Sequence, residues 1–204
     1  MIAQADKQRV ADAIRAAEQK TTGEIFCVVA DQANRYPLAP VCWAAAFALL
    51  IPLWLILFTS ESAGMIYIVQ LAGFAAAAAA FAHPRLRCHL MPRVLQHDRA
   101  HLTAMRQFWA QGLHKTQART GVLIFASLAE RYAEIIADAG INEKVTQEVW
   151  NSAVAALTSA IRYGQVGAGF VAAIAQCGAV LAEHFPLPPG SRNPNELPDK
   201  LVEI

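Results

Sequence analysis

GVLIFASL, at residues 121–128, predicts a strand that is buried on both of its faces. The stretch is uncharged, and its apolar residues do not alternate with polar ones, which is typical of a strand covered by helices on both sides. It begins at Gly121, directly after Arg119 and Thr120. Because such a strand needs a helical layer on each face, we expect an α/β domain.

Two further strands are expected beside this one. Residues 132–138 (YAEIIAD) follow after a short turn, so we predict a strand antiparallel to residues 121–128. Residues 24–30 (EIFCVVA) predict another buried strand earlier in the chain. A helix connects it to residues 121–128, which predicts a parallel pair with a right-handed crossover. The sheet is therefore predicted to be small and mixed.

Four helices are expected to cover this sheet, because apolar residues recur at helical spacing in four stretches. The first two are residues 4–20 and residues 99–112. The last two are marked by Val145, Val149, Ala153, Leu157 and Ile161, and then by Val166, Phe170, Ile174 and Leu181. Residues 187–204 are rich in Pro, Asn and charge, and we expect an irregular tail.

A transmembrane hairpin is predicted between the first strand and the second helix. Residues 41–58 and 65–82 are apolar and carry no charge, and each is about long enough, with its flanks, to cross a hydrocarbon core about 30 Å thick. The overall charged fraction of 16% is low against the roughly 25% of soluble domains. A buried hairpin inside a soluble protein is the alternative, but this pair is too large for so small a core.

The hairpin divides the chain into four parts: residues 1–37, the hairpin at 38–83, residues 84–186 and the tail at 187–204. Basic residues flank the hairpin on both sides, and the link at residues 59–64 has one acid, Glu61, and no base. The flanking bases are Lys20, Arg35, Arg85, Arg87, Arg93 and Arg99. By the positive-inside rule both flanks, and both termini, are predicted to be cytoplasmic.

Net charge and cysteine content limit the kinds of partner and metal site that we expect. The formal net charge of +1 gives no electrostatic case for nucleic acid, so we expect none as a partner. The cysteines are Cys27, Cys42, Cys88 and Cys177. Because none forms a C-x-x-C pair, we expect reduced thiols and no metal knuckle.

Four motifs in the flanks resemble one known family. They are TGEI at 22–25, RTGVLI at 119–124, the spaced residues Glu130, Arg131, Glu134, Ile135, Asp138, Ala139, Gly140 and Ile141, and HFP at 184–186 with NELPD at 195–199. Together they are similar to the TPM domain family, in its small bacterial integral-membrane branch. The resemblance implies a three-layer α/β/α sandwich interrupted by the hairpin, in a bacterial inner membrane.

The resemblance implies two functions from different classes. An animal relative acts as an accessory subunit of a membrane receptor, and a thylakoid-lumen relative is associated with acid phosphatase activity. The first expectation is a non-catalytic accessory or assembly module with a membrane-protein partner. The second is a divalent-metal-assisted phosphatase at the inner membrane face. No D-x-D follows a strand, no R-H-G is present, and Cys88 and Arg93 are one residue too close for C-x5-R. The missing nucleophile favours the first.

Polar residues gather at one end of the predicted sheet and form the candidate site. Glu24 begins one of the two parallel strands, Arg119 and Thr120 precede the other, and Asp138 ends the antiparallel one. Glu24 and Asp138 are the carboxylates that could ligate Ca²⁺ or Mg²⁺ there. A structural Arg119–Asp138 pair with helix caps is the alternative.

A second pattern lies in the helix after the hairpin. HDRAH at residues 97–101 has two histidines on one helical face, the spacing of a zinc helix, with Asp98 where a peptidase base is usually Glu. No third ligand is evident in the sequence. We therefore interpret the segment as a helix at the membrane interface, with a zinc site as the alternative.

Overall fold

The structure is a computed structural model that describes residues 2–32, 39–81, 83 and 92–204. The chain forms two compact units, one of Met1–Ala33 with His97–Ile204 and one of Asn34–Gln96. Arg35, Arg85, Arg87 and Cys88, on which some predictions depend, lie outside the described residues.

Four strands and five helices make up most of the first unit as described. The strands are β1 (Glu24–Ala30), β2 (Gly121–Ser127), β3 (Tyr132–Ala137) and β4 (Leu201–Glu203). With the helices numbered along the whole chain, the five are α1 (Gln4–Glu18), α4 (Arg93–Ala110), α5 (Ala139–Asn142), α6 (Asn151–Arg162) and α7 (Val166–His184). Only the part of α4 from His97 onward belongs to this unit. Short 3-10 turns lie at Leu113–Lys115 and Gln147–Trp150.

The sheet is mixed, as predicted, with the strand order β3-β2-β1-β4. β1 and β2 are parallel, with Glu24 opposite Gly121, and β3 is antiparallel to β2. The prediction that the whole tail is irregular was wrong, because Leu201–Glu203 pairs with β1 as a parallel strand. Three residues are too few to show a strand period, and the backbone bonds from β1 create this strand. One of them joins Ile204 N to the carbonyl of Val29 at 3.0 Å.

The three-layer α/β/α arrangement is confirmed by the two clusters of buried side chains. Alternate residues of a strand point to opposite faces of a sheet. On one face, Ile25 and Ile124 pack with the apolar residues of α1, α6 and α7. On the other face, Phe26 and Phe125 pack with Ala100, Ala104 and Phe108 of α4.

Two helices that contain no charged residue make up most of the described part of the second unit. They are α2 (Ala39–Phe58) and α3 (Ala63–Phe81), which correspond to the two predicted apolar segments. They pack closely at Gly73, where an added Cβ would collide with the Ile51 side chain. Large apolar side chains such as Leu49 and Phe58 stay exposed, at 68% and 70%.

Three described helices are long and apolar enough to cross a membrane. They are Pro40–Phe58, Ala63–Phe81 and Val166–His184, with hydropathies of 2.5, 1.8 and 1.6. The first two differ from the third in burial, since 11% and 0% of their apolar windows are buried against 44% for Val166–His184. The third is α7, which packs against α1 and α6 in the first unit.

Candidate functional site at the amino-terminal edge of the parallel strands

All four predicted site residues lie at the same edge of the sheet. The amide of Glu24 donates to the carbonyl of Thr120 at 3.1 Å, and the amide of Asp138 donates to the carbonyl of Gly121 at 2.9 Å. The hydroxyl of Thr120 donates to the carbonyl of Thr22 at 3.2 Å. These contacts bind the motif segments to one another through their backbones.

Asp138 is held by Arg119 and by the start of α5. Arg119 donates from Nε and from a terminal nitrogen to the two carboxylate oxygens, at 2.7 and 3.0 Å. Asp138 also accepts a hydrogen bond of 2.7 Å from the amide of Ala139, which makes it the N-cap of α5. Both carboxylate oxygens are therefore occupied, and these contacts are those of the structural pair with a helix cap.

Close backbone packing at position 140, just after this cap, requires a glycine. The amide of Gly140 donates to the carbonyl of Arg119 at 3.1 Å. A Cβ added at Gly140 would lie 2.6 Å from the carbonyl oxygen of Ala118 and 2.8 Å from that of Arg119. Two backbone groups leave no room for a side chain, so the segments around Arg119 and Asp138 fit together only with glycine here.

Glu24 has different partners from Asp138. Their strands lie on either side of β2, about 10 Å apart at the usual strand spacing. The Glu24 side chain is 1% exposed, and its Oε2 accepts a 3.1 Å bond from the amide of Leu197 in the tail. Its Oε1 has no hydrogen-bond partner among the described residues. The two proposed metal ligands thus belong to two separate sets of contacts.

Two further carboxyl groups lie close to Glu24, and we call Glu18, Glu24 and Asp199 the acid cluster. Glu18 is 4% exposed and accepts a 2.8 Å bond from the amide of Ile25. Asp199 accepts a bond from Asn195 at 3.3 Å, and its Oδ1 is unpaired within the described part of the chain. A cavity of about 480 Å³ opens beside the cluster. It is lined by Arg15, Glu18, Arg192, Asn193, Asn195 and Asp199, with Gln19, Leu187 and Ser191.

Burial raises the pKa values of two members of the acid cluster, Glu18 and Glu24. Burial raises the pKa of Glu18 to about 8, helped by the nearby charges of Glu24 and Asp199 and by a hydrogen bond to Asp199, while the Ile25 amide opposes the change. Burial also raises the pKa of Glu24. Glu18 is therefore mainly protonated at neutral pH and can donate a hydrogen bond to Asp199.

Glu18 and Asp199 are functional candidates that the sequence analysis did not select. Glu18 could have been found, because it lies at helical spacing from the buried residues Val10 and Ile14. A carboxyl group on the buried face of an amphipathic helix is unusual. Asp199 ends the NELPD motif, but nothing in the sequence placed it beside Glu24, because it reaches the site only through the fold of the tail.

Glu18→Gln is expected to flatten part of the pH dependence of stability. Below about pH 4.5 the side chain is protonated in both the folded and the unfolded chain. Between about pH 4.5 and pH 8 only the unfolded chain loses this proton, so the wild type loses stability as pH rises. Glutamine has no proton to lose, so the free energy of unfolding of the variant should rise relative to that of the wild type across this range, by on the order of 3–5 kcal/mol at most. Urea unfolding of the full chain in detergent, repeated across the range, measures the difference.

The matched control is Glu183→Gln, at an exposed position near the end of α7. It should follow the wild-type pH profile. If Glu18→Gln also follows that profile, Glu18 is ionised in the folded protein and the protonated cluster is wrong.

Comparison with known proteins identifies the family to which this chain belongs. The TPM domain model matches residues 70–180, which is more than half of the chain. The chain therefore belongs to the TPM domain family, as its motifs predicted. The motif at 119–124 and the residues around Asp138 lie inside the matched region, while those at 22–25 and 195–199 lie outside it.

A solved structure shows the same fold. The chain is similar to the NMR structure of BA42 protein from the psychrophilic bacterium Bizionia argentinensis sp. nov., with a TM-score of 0.61 and 20% identity. The similarity covers 100% of this chain and 96% of that chain. No curated protein matches the sequence.

Proposed function

We propose that this TPM-domain protein is anchored in the bacterial inner membrane by its helical hairpin. Its domain serves there as a non-catalytic accessory or assembly module of a membrane complex on the cytoplasmic side. The observation that carries the proposal is the pair α2 and α3, which combines uncharged sequence with exposed apolar side chains.

Water is a poor solvent for this hairpin. Each large apolar side chain costs about 1.5–3 kcal/mol when left exposed instead of buried. The exposed set includes Leu50, Leu53, Trp54, Ile56 and Leu57 on α2 and Tyr67, Ile68 and Leu71 on α3. Contiguous apolar surfaces of this kind mark contact with lipid or protein. At about 1.5 Å per residue, each helix also matches the thickness of a bilayer.

The orientation rests on the distribution of charge along the sequence. Arg93 and Arg99 follow the hairpin and Lys20 precedes it, while Glu61 is the one charged residue of the link. Loops rich in Lys and Arg stay in the cytoplasm. The TPM domain is thus placed where cytoplasmic partners or the cytoplasmic faces of membrane proteins can reach it.

The non-catalytic role is supported by what the motif residues do. Arg119 and Asp138 bind each other, Asp138 also caps α5, and Gly140 fits against the backbone at Arg119. These contacts stabilise the edge of the sheet, and both carboxylate oxygens of Asp138 take part in them. In the described part of the chain, no group of three or more His, Cys, Asp or Glu residues is arranged to hold a metal ion.

The acid cluster favours a second candidate, the metal-assisted phosphatase. Glu24 and Asp199 each have an unpaired carboxylate oxygen within the described residues, and oxygen ligands suit Ca²⁺ or Mg²⁺. Arg15 and Arg192 line the adjacent cavity and could bind a phosphate group. A bound cation would supply charge stabilisation there. This candidate ranks second because the carboxyl groups as they stand form no set of three ligands.

A phosphate-ester assay separates the two candidates. The full chain, purified in detergent, is incubated with p-nitrophenyl phosphate alone, with Mg²⁺ and with Ca²⁺. We expect no hydrolysis above the protein-free rate under any condition. Cation-dependent turnover that is lost in Asp199→Asn and retained in Glu183→Gln would contradict the accessory role and support the phosphatase.

A further inference from the structure

The two histidines of residues 97–101 lie at the border of the sheet-facing side of α4, where their side chains contact β3 and remain exposed to solvent. Ala100 and Ala104 on the same helix are buried against the sheet, while His97 and His101 face solvent. Four residues of helix separate the histidines by one turn, a rise of about 6 Å. Both imidazoles are therefore accessible and on neighbouring positions of one helical face.

The structure places a carboxylate beside these histidines. Glu134 on β3 lies with its oxygens 2.8 and 3.0 Å from Nδ1 of His101. A carboxylate accepts hydrogen bonds and does not donate them, so Nδ1 of His101 carries the proton. The side chain of Glu134 is 19% exposed against 50% for His101, which makes Glu134 the more firmly held partner.

Tyr132 connects the second histidine to the same carboxylate. Its hydroxyl donates to Oε2 of Glu134 at 3.0 Å, and its ring lies 5.1 Å from the ring of His97. Burial and the charge of Glu134 raise the pKa of Tyr132, so the hydroxyl remains a donor at neutral pH. His97, Tyr132, Glu134 and His101 therefore form one continuous group where the sheet-facing side of α4 meets β3.

This hydrogen-bond pattern is the one that prepares a histidine to bind a metal. When Nδ1–H of a histidine is held by a carboxylate, the lone pair is on Nε2 and the ring has a fixed direction. His97 is positioned one turn away by its contact with Tyr132. Two imidazoles at this spacing on one helical face can share one ion.

We propose that His97 and His101 bind a transition-metal dication of the class that prefers imidazole, represented by Zn²⁺. Glu134 acts as the positioning residue that orients His101. Imidazole suits Zn²⁺, whereas Ca²⁺ and Mg²⁺ prefer oxygen, so this site differs in chemistry from the acid cluster. Two protein ligands leave coordination positions for water or for a group from a partner. The proposal does not depend on the accessory role.

Direct Zn²⁺ titration of the untagged full chain in detergent, against a chromogenic chelator, tests the site. We expect one Zn²⁺ per chain in the wild type, and no saturable binding in His97→Ala or His101→Ala. Glu134→Gln keeps both ligands and loses the orienting carboxylate, so its affinity should fall about 10–100-fold. His184→Ala, a histidine at the end of α7, is the matched control and should bind as the wild type does.

Protease resistance, measured on each variant, shows that it is folded before its Zn²⁺ affinity is compared. The proposal is overturned if the wild type shows no saturable Zn²⁺ binding, which would leave His101–Glu134 as a structural ion pair between α4 and β3. It is also overturned if both histidine variants bind as the wild type does, or if His184→Ala loses binding equally. Wild-type affinity in Glu134→Gln would remove the orienting role.

Discussion

Ile124→Asp is expected to leave the TPM domain unfolded. Ile124 is fully buried in β2, where Cys27 of β1 and Ile135 of β3 are its neighbours in the sheet. A carboxylate there would lie among apolar side chains, and burying an ionised group without a partner costs far more than burying a neutral one. The expected loss of several kcal/mol is comparable with the total stability of a domain, about 5–15 kcal/mol. Limited proteolysis of the full chain in detergent should show the domain degraded at protease concentrations that the wild type resists.

Ile124→Val is the matched control. It removes one methylene from the same position and should cost only about 0.5–1.5 kcal/mol, so the domain stays resistant. Digesting both variants beside the wild type separates the effect of the charge from that of altered packing. Wild-type resistance in Ile124→Asp would mean that β2 is not a central strand.

The central part of the sheet could be predicted because its strands carry their own signal. Residues 25–30 and 121–126 are runs without a polar side chain, and the helix between them implied the parallel pairing that the structure has. β4 could not be predicted, because Leu201–Glu203 becomes a strand only through hydrogen bonds to β1. Its signal lies in the partner strand and not in its own residues.

Topology alone placed the predicted site residues at one edge, and the alternative of an Arg119–Asp138 pair with a helix cap matches the structure. The partners of Glu24, in contrast, were not predictable. Strand directions determine which ends meet, and that put Glu24 and Asp138 at the same edge. The buried bond from Leu197 to Glu24 joins residues 173 positions apart. No local pattern encodes such a contact, so the sequence did not predict that the tail packs against Glu24 or that Glu18 and Asp199 lie beside it.

The contact between His101 and Glu134 also could not be predicted from the local sequence. The sequence has no third group near His97 and His101, and the zinc alternative therefore lacked support. Glu134 lies 33 positions from His101 and meets it because α4 packs on the sheet face that carries Tyr132 and Glu134. The strand itself was predictable, but the face that α4 covers was not.

Hydropathy alone would assign α7 to the membrane, although this helix packs against α1 and α6 inside the domain. This helix is as long as a membrane-spanning helix, with a hydropathy of 1.6. Its glycines allow close packing inside the domain, since a Cβ at Gly169 would lie 2.5 Å from Cβ of Ala160 on α6. At Gly178 it would lie 2.7 Å from Cβ of Ala17 on α1. Helical spacing, which placed α7 in the domain, was the better guide than hydropathy.

We propose that α2 and α3 cross the membrane and return the chain to the cytoplasm. Reporter fusions give an all-or-none test of it. Alkaline phosphatase needs disulfides that form outside the cytoplasm, and green fluorescent protein reports folding inside it. Each reporter is fused in turn after Ile204 and inserted at Glu61 in the link between the two helices. The reciprocal reporters control for expression at each position.

Fusion at both positions therefore measures the topology directly. Because the bases flank the hairpin and the link has none, we expect fluorescence without phosphatase activity at Ile204, and phosphatase activity without fluorescence at Glu61. Fluorescence at both positions would show that the hairpin does not cross the membrane. Phosphatase activity at Ile204 would place the TPM domain outside the cytoplasm and contradict the proposed orientation.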